Sequence, residues 1–235
     1  MSDIAKRFAR ETANHRMTVL HDDGLYRHLR FQEHVWRPPL AEPQPTSFYW
    51  FELITVPGSL TFRGDGESFV FARLTDMFEF FRGPVGQTNP HYWSEKLTSG
   101  HGDRARHYDR DLFKRRVREA FVDEFRGRSA PHELRVALCR DVLSPDEAWS
   151  EESAHRALAE FSYYADEKDR YGRHEYIDGK YTWIPAKRPD FEFSDTWEWD
   201  FRDYDWWFLW SLHAIVWGIA QYDAWKAPLP EELFA

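Results

Sequence analysis

The fold class follows first from the stretch MTVLHDDGLYRHLRF at residues 17–31. Apolar and polar residues alternate on both sides of Asp23-Gly24, as they do in a strand with one buried face. An Asp-Gly pair between two such runs favours a hairpin, because a type I′ turn needs positive φ at both of its central residues. The stretch therefore predicts two antiparallel strands joined by a tight turn.

The pattern of strands continues through the first third of the chain. Residues 47–56, SFYWFELITV, predict a buried strand from their aromatic and β-branched content, and a Pro-Gly pair at 57–58 ends it. Aromatic residues alternate on both sides of the Gly-Asp-Gly turn at 64–66 and predict a second hairpin. Four prolines in residues 36–47 disfavour strand pairing and predict an exposed loop. The first third is therefore predicted to form an antiparallel β-meander of about five strands.

Helical periodicity replaces this alternation from residue 75 onward. Residues 109–126 give the clearest amphipathic pattern, since Phe113, Val117 and Phe121 recur on one helical face. Ser144 is the expected N-cap of a long helix that follows it. Helices are also predicted at residues 75–81, 90–97, 131–143 and 145–165. The pattern indicates a helical layer packed against the meander, which defines an α+β fold.

The C-terminal part holds seven of the twelve tryptophans, all within residues 197–225. Aromatic and polar residues alternate at 191–201 and predict a strand, and a last helix is predicted from Asp203 or Asp205, since either suits an N-cap. Apolar residues surround this helix on all sides, so it is expected to be the central, innermost element. Core packing is the favoured role for the tryptophans, with a ligand platform as the alternative. We predict one α+β domain over residues 1–235.

The negative charge of the chain is concentrated in its C-terminal part. Residues 1–143 carry 22 Lys and Arg against 20 Asp and Glu, whereas residues 144–235 carry 9 against 20. A general nucleic-acid-binding protein usually has a basic footprint. The acidic C-terminal part therefore argues against that class and favours a basic protein partner or a cation.

Several other classes of protein are disfavoured by the sequence. The start MSDIAKRFARETANHR lacks the apolar segment of a signal peptide, and the longest apolar run, residues 206–220, is shorter than the roughly 20 residues of a membrane span. We therefore predict a cytoplasmic protein with no membrane partner.

Cys139 is the only cysteine, so no intrachain disulfide is possible, and it is expected to be a small buried residue on its helix. The motifs of phosphate-binding loops, nucleophile elbows and zinc sites are missing, so no cofactor and no familiar enzyme chemistry are predicted.

An acidic cluster precedes the last helix. It contains Asp200, Asp203 and Asp205, with Asp195 and Glu198 nearby. Carboxylate oxygens suit a divalent cation, so the metal site of a phosphoesterase or nuclease is one interpretation. A solvated acidic surface whose aspartates cap the helix is the favoured one. His213, a polar residue in the apolar last helix, is expected to be a hydrogen-bonded core histidine.

The clearest amphipathic helix also carries a basic stripe. Arg110, Lys114 and Arg118 recur at i, i+4 and i+8 with Arg115 beside them, and the stripe is expected opposite the apolar face. Such a stripe can lie along a phosphate backbone. Acidic residues on the same helix dilute it, so a solvated face with ion pairs is the favoured interpretation. Contact with nucleic acid or an acidic partner stays open as the alternative.

Four segments, which cover most of the chain apart from the Pro-rich loop and the middle helices, share one resemblance. They are HDDGLYRHLRF at 21–31, SFYWFELITVPGSLTFRGDGESFVFARLTDMFEFFR at 47–82, NPHYWSEKL at 89–97 and DTWEWDFRDYDWWFLWSLHAIVWGIAQYDAW at 195–225. Together they resemble a family of uncharacterised accessory proteins encoded by bacteriophages and prophages. The resemblance assigns a role to no residue. It implies an accessory phage protein that interferes with host defence or with host nucleic-acid machinery.

The sequence favours a binding protein over an enzyme. We predict a non-enzymatic binding protein of phage or prophage origin, such as an anti-CRISPR or another inhibitor of host defence. Its expected partner is a host protein or a protein–nucleic acid complex, bound through the acidic C-terminal surface or the basic stripe. Two alternatives stay open: a divalent-metal-dependent phosphoesterase or nuclease, and an accessory protein that binds nucleic acid directly.

Overall fold

The computed structural model describes residues 3–38, 42–99, 104–144 and 146–228. Its α-helices are α1 (Asp3–Glu11), α2 (Met77–Phe81), α3 (Pro90–Ser94), α4 (Arg110–Glu124), α5 (His132–Asp141), α6 (Glu151–Glu160) and α7 (Trp206–Lys226). Its strands are β1 (His15–Asp23), β2 (Tyr26–Val35), β3 (Gln44–Pro45), β4 (Phe51–Val56), β5 (Ser59–Gly64), β6 (Ser68–Phe71), β7 (Arg106–Tyr108), β8 (Ser162–Tyr163), β9 (Arg173–Ile177), β10 (Lys180–Ile184), β11 (Phe191–Glu192) and β12 (Arg202–Tyr204). An N-terminal antiparallel sheet with a long C-terminal helix confirms the α+β class.

The N-terminal sheet is the predicted meander, with strand order β1-β2-β4-β5-β6 and β3 paired to the end of β2. The first hairpin forms where it was expected, but its turn differs. Asp23 pairs with Tyr26, so Gly24 and Leu25 are the central residues, and of these only Gly24 has positive φ, at 59°. These signs match a type II′ turn rather than the predicted type I′, because type II′ needs positive φ only at its first central residue.

The Pro-rich segment at 36–47 is exposed over most of its described residues, as predicted, but it is not free of pairing. Pro45 lies opposite His34, and Gln44 lies opposite Val35, which makes the short strand β3. Thr46 is buried beside this pairing. Residues 39–41, which include one of the four prolines, lie outside the described residues.

The chain folds into two compact units. The first contains the described residues of 1–107 and 204–235, and the second contains those of 108–203. The chain leaves the first unit along β7 and returns to it along β12. The prediction of one folding domain over residues 1–235 stays a prediction.

The core of the first unit lies between one face of the sheet and the helices. Helix α7 contacts α1, α2, β1 and β4, and its residues are buried on several sides, as expected for an innermost helix. Phe31 and Phe51 stack at 4.5 Å between ring centroids, and Trp210 meets Phe51 edge-on at 5.7 Å. Gly218 lets the helix approach the sheet closely, because a Cβ there would lie 2.8 Å from the Leu53 side chain. The core-packing prediction is confirmed for Trp210, whereas Trp197 and Trp225 are exposed.

The second unit has its own core, built by α4, α5 and α6 around aromatic side chains such as Phe113 and Phe201. Helix α4 confirms the amphipathic prediction. The predicted helix at 145–165 is shorter than expected: Ser150, not Ser144, caps α6, through a reciprocal pair of hydrogen bonds with Ser153. Cys139 is exposed on α5, so the expectation of a buried cysteine is wrong.

The predicted strand at 191–201 is also mostly wrong. Only Phe191 and Glu192 form a strand, and a 3₁₀ turn follows at Thr196–Glu198, entered through Asp195 in the left-handed region at φ 53°. The aromatic alternation instead reflects rings that pack inward from an irregular chain, since Phe193 and Trp199 lie against the core of the second unit. Among the described residues, no helix is both long and apolar enough to cross a membrane.

Candidate anion-binding site on the outer sheet face

The outer face of the sheet, directed away from α7, carries a fully buried carboxylate. Successive residues of a strand point to opposite faces. Phe51 and Leu53 of β4 belong to the core beside α7, so Glu52 between them points to the outer face. Glu52 is nonetheless 0% exposed. An ionised carboxyl group is costly to bury unless basic groups surround it.

Glu52 lies at the centre of a row of five residues that pair in register across the sheet. The row is Thr18, Arg30, Glu52, Arg63 and Ser68, one residue from each of β1, β2, β4, β5 and β6. The Nε atoms of Arg30 and Arg63 lie 2.7 Å and 2.8 Å from the two carboxylate oxygens of Glu52. The Nε2 atom of His28 on β2 lies 3.0 Å from the same carboxylate. Register thus places two guanidinium groups on opposite sides of one carboxylate.

The basic neighbours determine the ionisation of Glu52. Burial by itself would raise the pKa of Glu52, but the nearby imidazole of His28, the hydrogen bond from Arg30 and the charge of Arg63 lower that pKa below its usual range. Glu52 is therefore an anion at neutral pH. The two arginines outweigh this single negative charge, so the centre of the outer face is positive.

The arginines have more hydrogen-bond donors than Glu52 can use. Each guanidinium group has five N–H donors, and a carboxylate has about four acceptor positions. The side chains of Arg30 and Arg63 are 38% and 51% exposed, so the remaining donors are open to solvent. An oxyanion can accept these donors without breaking the pairs with Glu52.

An open pocket of about 510 Å³ adjoins the two arginines. Its lining residues are Arg30, Gln32, Pro45, Thr46, Ser47, Trp50 and Arg63. The guanidinium carbon of Arg63 lies 5.7 Å from the ring centroid of Trp50. Because Arg63 is held both by Glu52 and by the Trp50 ring, its charge is oriented before any ligand arrives. Charge, hydroxyl groups and an indole ring together suit a ligand that joins an anion to a planar ring.

The structure places the predicted basic stripe differently from the expectation. Arg115 and Arg118 are exposed on α4, but Arg110 and Lys114 are half-buried. At 3.6 residues per turn, Arg110 lies only about 20° around the helix from the buried Val117. The stripe therefore flanks the apolar face, and the prediction that it lies opposite that face is wrong.

The predicted acidic cluster is divided between the two units. Asp205 belongs to the first unit and caps α7, where its side chain accepts hydrogen bonds from the backbone N–H groups of Trp207 and Phe208. Asp200 and Asp203 belong to the second unit, and the Asp200 side chain accepts from the Arg202 backbone N–H. No group of three or more His, Cys, Asp or Glu residues in the described part of the chain is placed to hold a metal ion. The capping role of Asp205 is thus confirmed, and the metal interpretation rests on sequence alone.

The sequence prediction missed two features that the structure displays. The first is Glu52 itself, whose available signal is a single carboxylate in the apolar strand FELITV. The second is the β9–β10 hairpin in the second unit, where Tyr181 pairs with Tyr176 and Trp183 pairs with His174. These rings form one exposed aromatic face, with Tyr181 78% exposed. Its signal is an Asp-Gly turn at 178–179, where both residues have positive φ as a type I′ turn requires.

Comparison of the chain with models of known protein families, with curated proteins and with solved structures finds no match. The geometry of the site is therefore the only ground for a functional proposal beyond the sequence. The resemblance to phage and prophage proteins stays a prediction.

Proposed function

We propose that this chain is a non-enzymatic binding protein that recognises a short stretch of single-stranded nucleic acid at the outer sheet face. The observation that carries the proposal is the row Arg30–Glu52–Arg63, which presents two oriented guanidinium groups beside the pocket that contains Trp50. Guanidinium groups bind phosphate through paired hydrogen bonds. Indole rings stack on nucleobases irrespective of sequence.

The distribution of charge favours a short contact over a long one. The chain carries a net charge of −9, which opposes close approach of a polyanion over most of its surface. The positive centre around Glu52 is local, and the pocket beside it has a volume of only about 510 Å³. Exposed sheet faces that combine basic and aromatic side chains are also a recurrent way to bind single-stranded RNA. We therefore expect binding through one or two phosphates.

The biological setting of this activity is proposed from the sequence. The resemblance to phage and prophage accessory proteins suggests a target in host defence, such as the nucleic acid of a CRISPR complex, in the cytoplasm. A host protein as direct partner is the competing prediction. Nuclease treatment separates the two, because only a protein-mediated complex survives digestion of the nucleic acid.

Fluorescence anisotropy with a labelled 15-nucleotide single strand tests the proposal. We expect binding at about 50 mM salt that weakens as salt rises, and a loss of about tenfold or more in affinity for Arg63→Gln. Arg63 is the preferred site for substitution, since the ion pair of Arg30 with Glu52 remains in that variant. Arg115→Gln on α4 is the matched control, because it removes one exposed arginine from the predicted stripe.

Several outcomes would count against the proposal. They are failure of the wild-type protein to bind the strand at about 50 mM salt, equal losses in the two variants, and a larger loss for Arg115→Gln. Circular dichroism of both variants checks that a loss of binding does not come from a loss of folding. A larger effect of Arg115→Gln would favour the α4 stripe instead.

A further inference from the structure

The pocket on the outer sheet face lies at a break in the pairing along one side of β2. The N–H group of Thr46 donates to the carbonyl oxygen of Glu33 at 2.9 Å, and regular pairing resumes at Phe51. Between these points β2 has one residue, Gln32, whereas the facing chain has four, residues 47–50. The extra residues cannot join the ladder, so the sheet has a notch beside Gln32.

The backbone of the notch is strained and is held in place from two sides. Tyr49 has a φ of 51°, in the left-handed region that costs energy for a residue other than glycine. Its N–H group donates to Oδ2 of Asp65 at 3.2 Å, and its carbonyl oxygen lies 3.0 Å from Nε2 of His15. Because both peptide groups are held, the notch is formed before any ligand arrives.

Gln32 presents an unused side-chain amide in this notch. Phe31 belongs to the core beside α7, so the next residue, Gln32, points to the outer face, where it lines the pocket together with Trp50. The side-chain amide makes no hydrogen bond within the described residues, and its atoms are not among the buried polar atoms that lack a partner. The amide is therefore accessible to a ligand in the pocket.

His213 on α7 also has an unpaired polar atom, but a ligand cannot reach it. The residue is only 4% exposed, which confirms the sequence prediction of a buried histidine. Its Nδ1 atom is buried without a partner among the described residues, so the predicted hydrogen bond is missing at that atom. Accessibility thus distinguishes the amide of Gln32 from the imidazole of His213.

The chemistry of the amide favours one nucleobase over the others. A side-chain amide offers an N–H donor next to an acceptor oxygen. Adenine has the matching pattern on two edges, because its amino group lies beside the acceptor N7 on one edge and beside the acceptor N1 on another. Guanine instead has two acceptors, N7 and O6, on the corresponding edge. Purines also stack over a larger area of an indole ring than pyrimidines, and stacking strength sets base preferences in single-stranded binding.

We propose that Gln32 makes the outer-face site selective for adenine. The base stacks on Trp50, its amino group donates to the side-chain oxygen of Gln32, and a ring nitrogen accepts from the side-chain N–H group. Arg30 and Arg63 hold the adjoining phosphate. This inference rests on the proposed function and adds the identity of the bound base to it. Glutamine pairs with adenine in this bidentate way in other nucleic-acid complexes.

Fluorescence anisotropy with labelled abasic strands that carry a single base tests the inference. Abasic positions keep their phosphates but cannot stack, so the single base is the one that can occupy the pocket. We expect the adenine strand to bind at least about fivefold more tightly than strands with guanine, cytosine or thymine. A strand with unsubstituted purine, which lacks the amino group of adenine, should bind no more tightly than the guanine strand.

Gln32→Met separates base recognition from phosphate binding. It keeps the length of the side chain but removes the amide, so the preference for adenine should disappear while the guanine strand binds much as before. Arg63→Gln should instead weaken all the strands and retain the preference. Gln221→Met, at an exposed position on α7, is the matched control and should change neither affinity nor preference.

Four results would overturn the inference. They are equal affinity for the four bases, tighter binding of a base other than adenine, undiminished affinity for the unsubstituted purine, and a preference that persists in folded Gln32→Met. If circular dichroism shows that Gln32→Met does not fold, the comparison of adenine with unsubstituted purine decides, because it uses the wild-type protein.

The proposed function is judged separately in the same experiment. If the four bases bind equally but Arg63→Gln still weakens binding, the phosphate site stands and the base selectivity alone is wrong. If the wild-type protein binds neither these strands nor the unmodified strand, the proposed function itself is wrong.

Discussion

Replacement of Glu52 by Gln should reveal how strongly the buried ion-pair row stabilises the first unit. The substitution keeps the size of the side chain but removes its charge and turns one acceptor oxygen into an N–H donor that faces arginine donors. Loss of a buried partner that leaves an unpaired charge usually costs about 3–5 kcal/mol. Here the remaining arginines are 38% and 51% exposed and can be hydrated, so we expect a loss of about 2–3 kcal/mol.

The same substitution makes a prediction about pH. The pKa of Glu52 is lowered from its ordinary value of 4.5 in the folded protein. A carboxyl group with a lowered folded pKa stabilises the protein fully above its unfolded pKa, and this contribution is lost as pH falls through the folded pKa. The stability difference between wild type and Glu52→Gln should therefore be constant above about pH 5 and shrink below about pH 4.

Urea unfolding followed by tryptophan fluorescence measures this difference at several pH values. Glu79→Gln is the control, since Glu79 is an exposed partner of Arg82 and its removal should leave the unfolding midpoint nearly unchanged. A difference below about 0.5 kcal/mol at neutral pH would refute the account of the row. If the difference has the expected size but does not shrink in acid, the lost stability comes from packing rather than from charge.

Substitutions at three further positions test other parts of the structure, each by urea or thermal unfolding. Gly218→Ala should destabilise the protein by about 1–3 kcal/mol although alanine favours helices, because its Cβ would lie 2.8 Å from Leu53; a stabilised variant would contradict the close packing of α7 on the sheet. Asp76→Ala should cost more than Asp76→Asn by about 1 kcal/mol, since both lose the ion pair with Arg27 but asparagine can still accept from the Phe78 N–H at the start of α2. Asp205→Ala should cost about 0.5–2 kcal/mol through loss of the α7 cap, and addition of a divalent cation should leave that cost unchanged.

The sequence predicted best those features that depend on local chemistry. The first hairpin followed from alternation around an Asp-Gly pair, and the start of α7 followed from an aspartate before an apolar run. Alternation was misleading at residues 191–201, because aromatic rings there reach a core from irregular backbone that turns at Asp195. Pattern rules assume a regular element, and tertiary packing can satisfy the same pattern without one.

The candidate site could not be predicted from local sequence patterns, for a different reason. Arg30 and Arg63 lie 22 and 11 residues from Glu52 in the chain, and only the register of three strands brings them together. Once the meander is accepted, the lone charge at Glu52 is a usable signal, since a carboxylate in a buried strand needs basic residues opposite it. For Arg110, in contrast, a local rule was sufficient to predict the position correctly. A helical wheel would have placed it beside Val117 rather than opposite the apolar face.

The most direct test of the proposed binding site is NMR observation of the arginine Nε–H signals during titration with a short single-stranded oligonucleotide. We expect the signals of Arg30 and Arg63 and the indole N–H signal of Trp50 to shift together, with a common affinity that falls as salt rises. Shifts confined to Arg115 and Arg118 of α4, or to the aromatic rings of the β9–β10 hairpin, would contradict it.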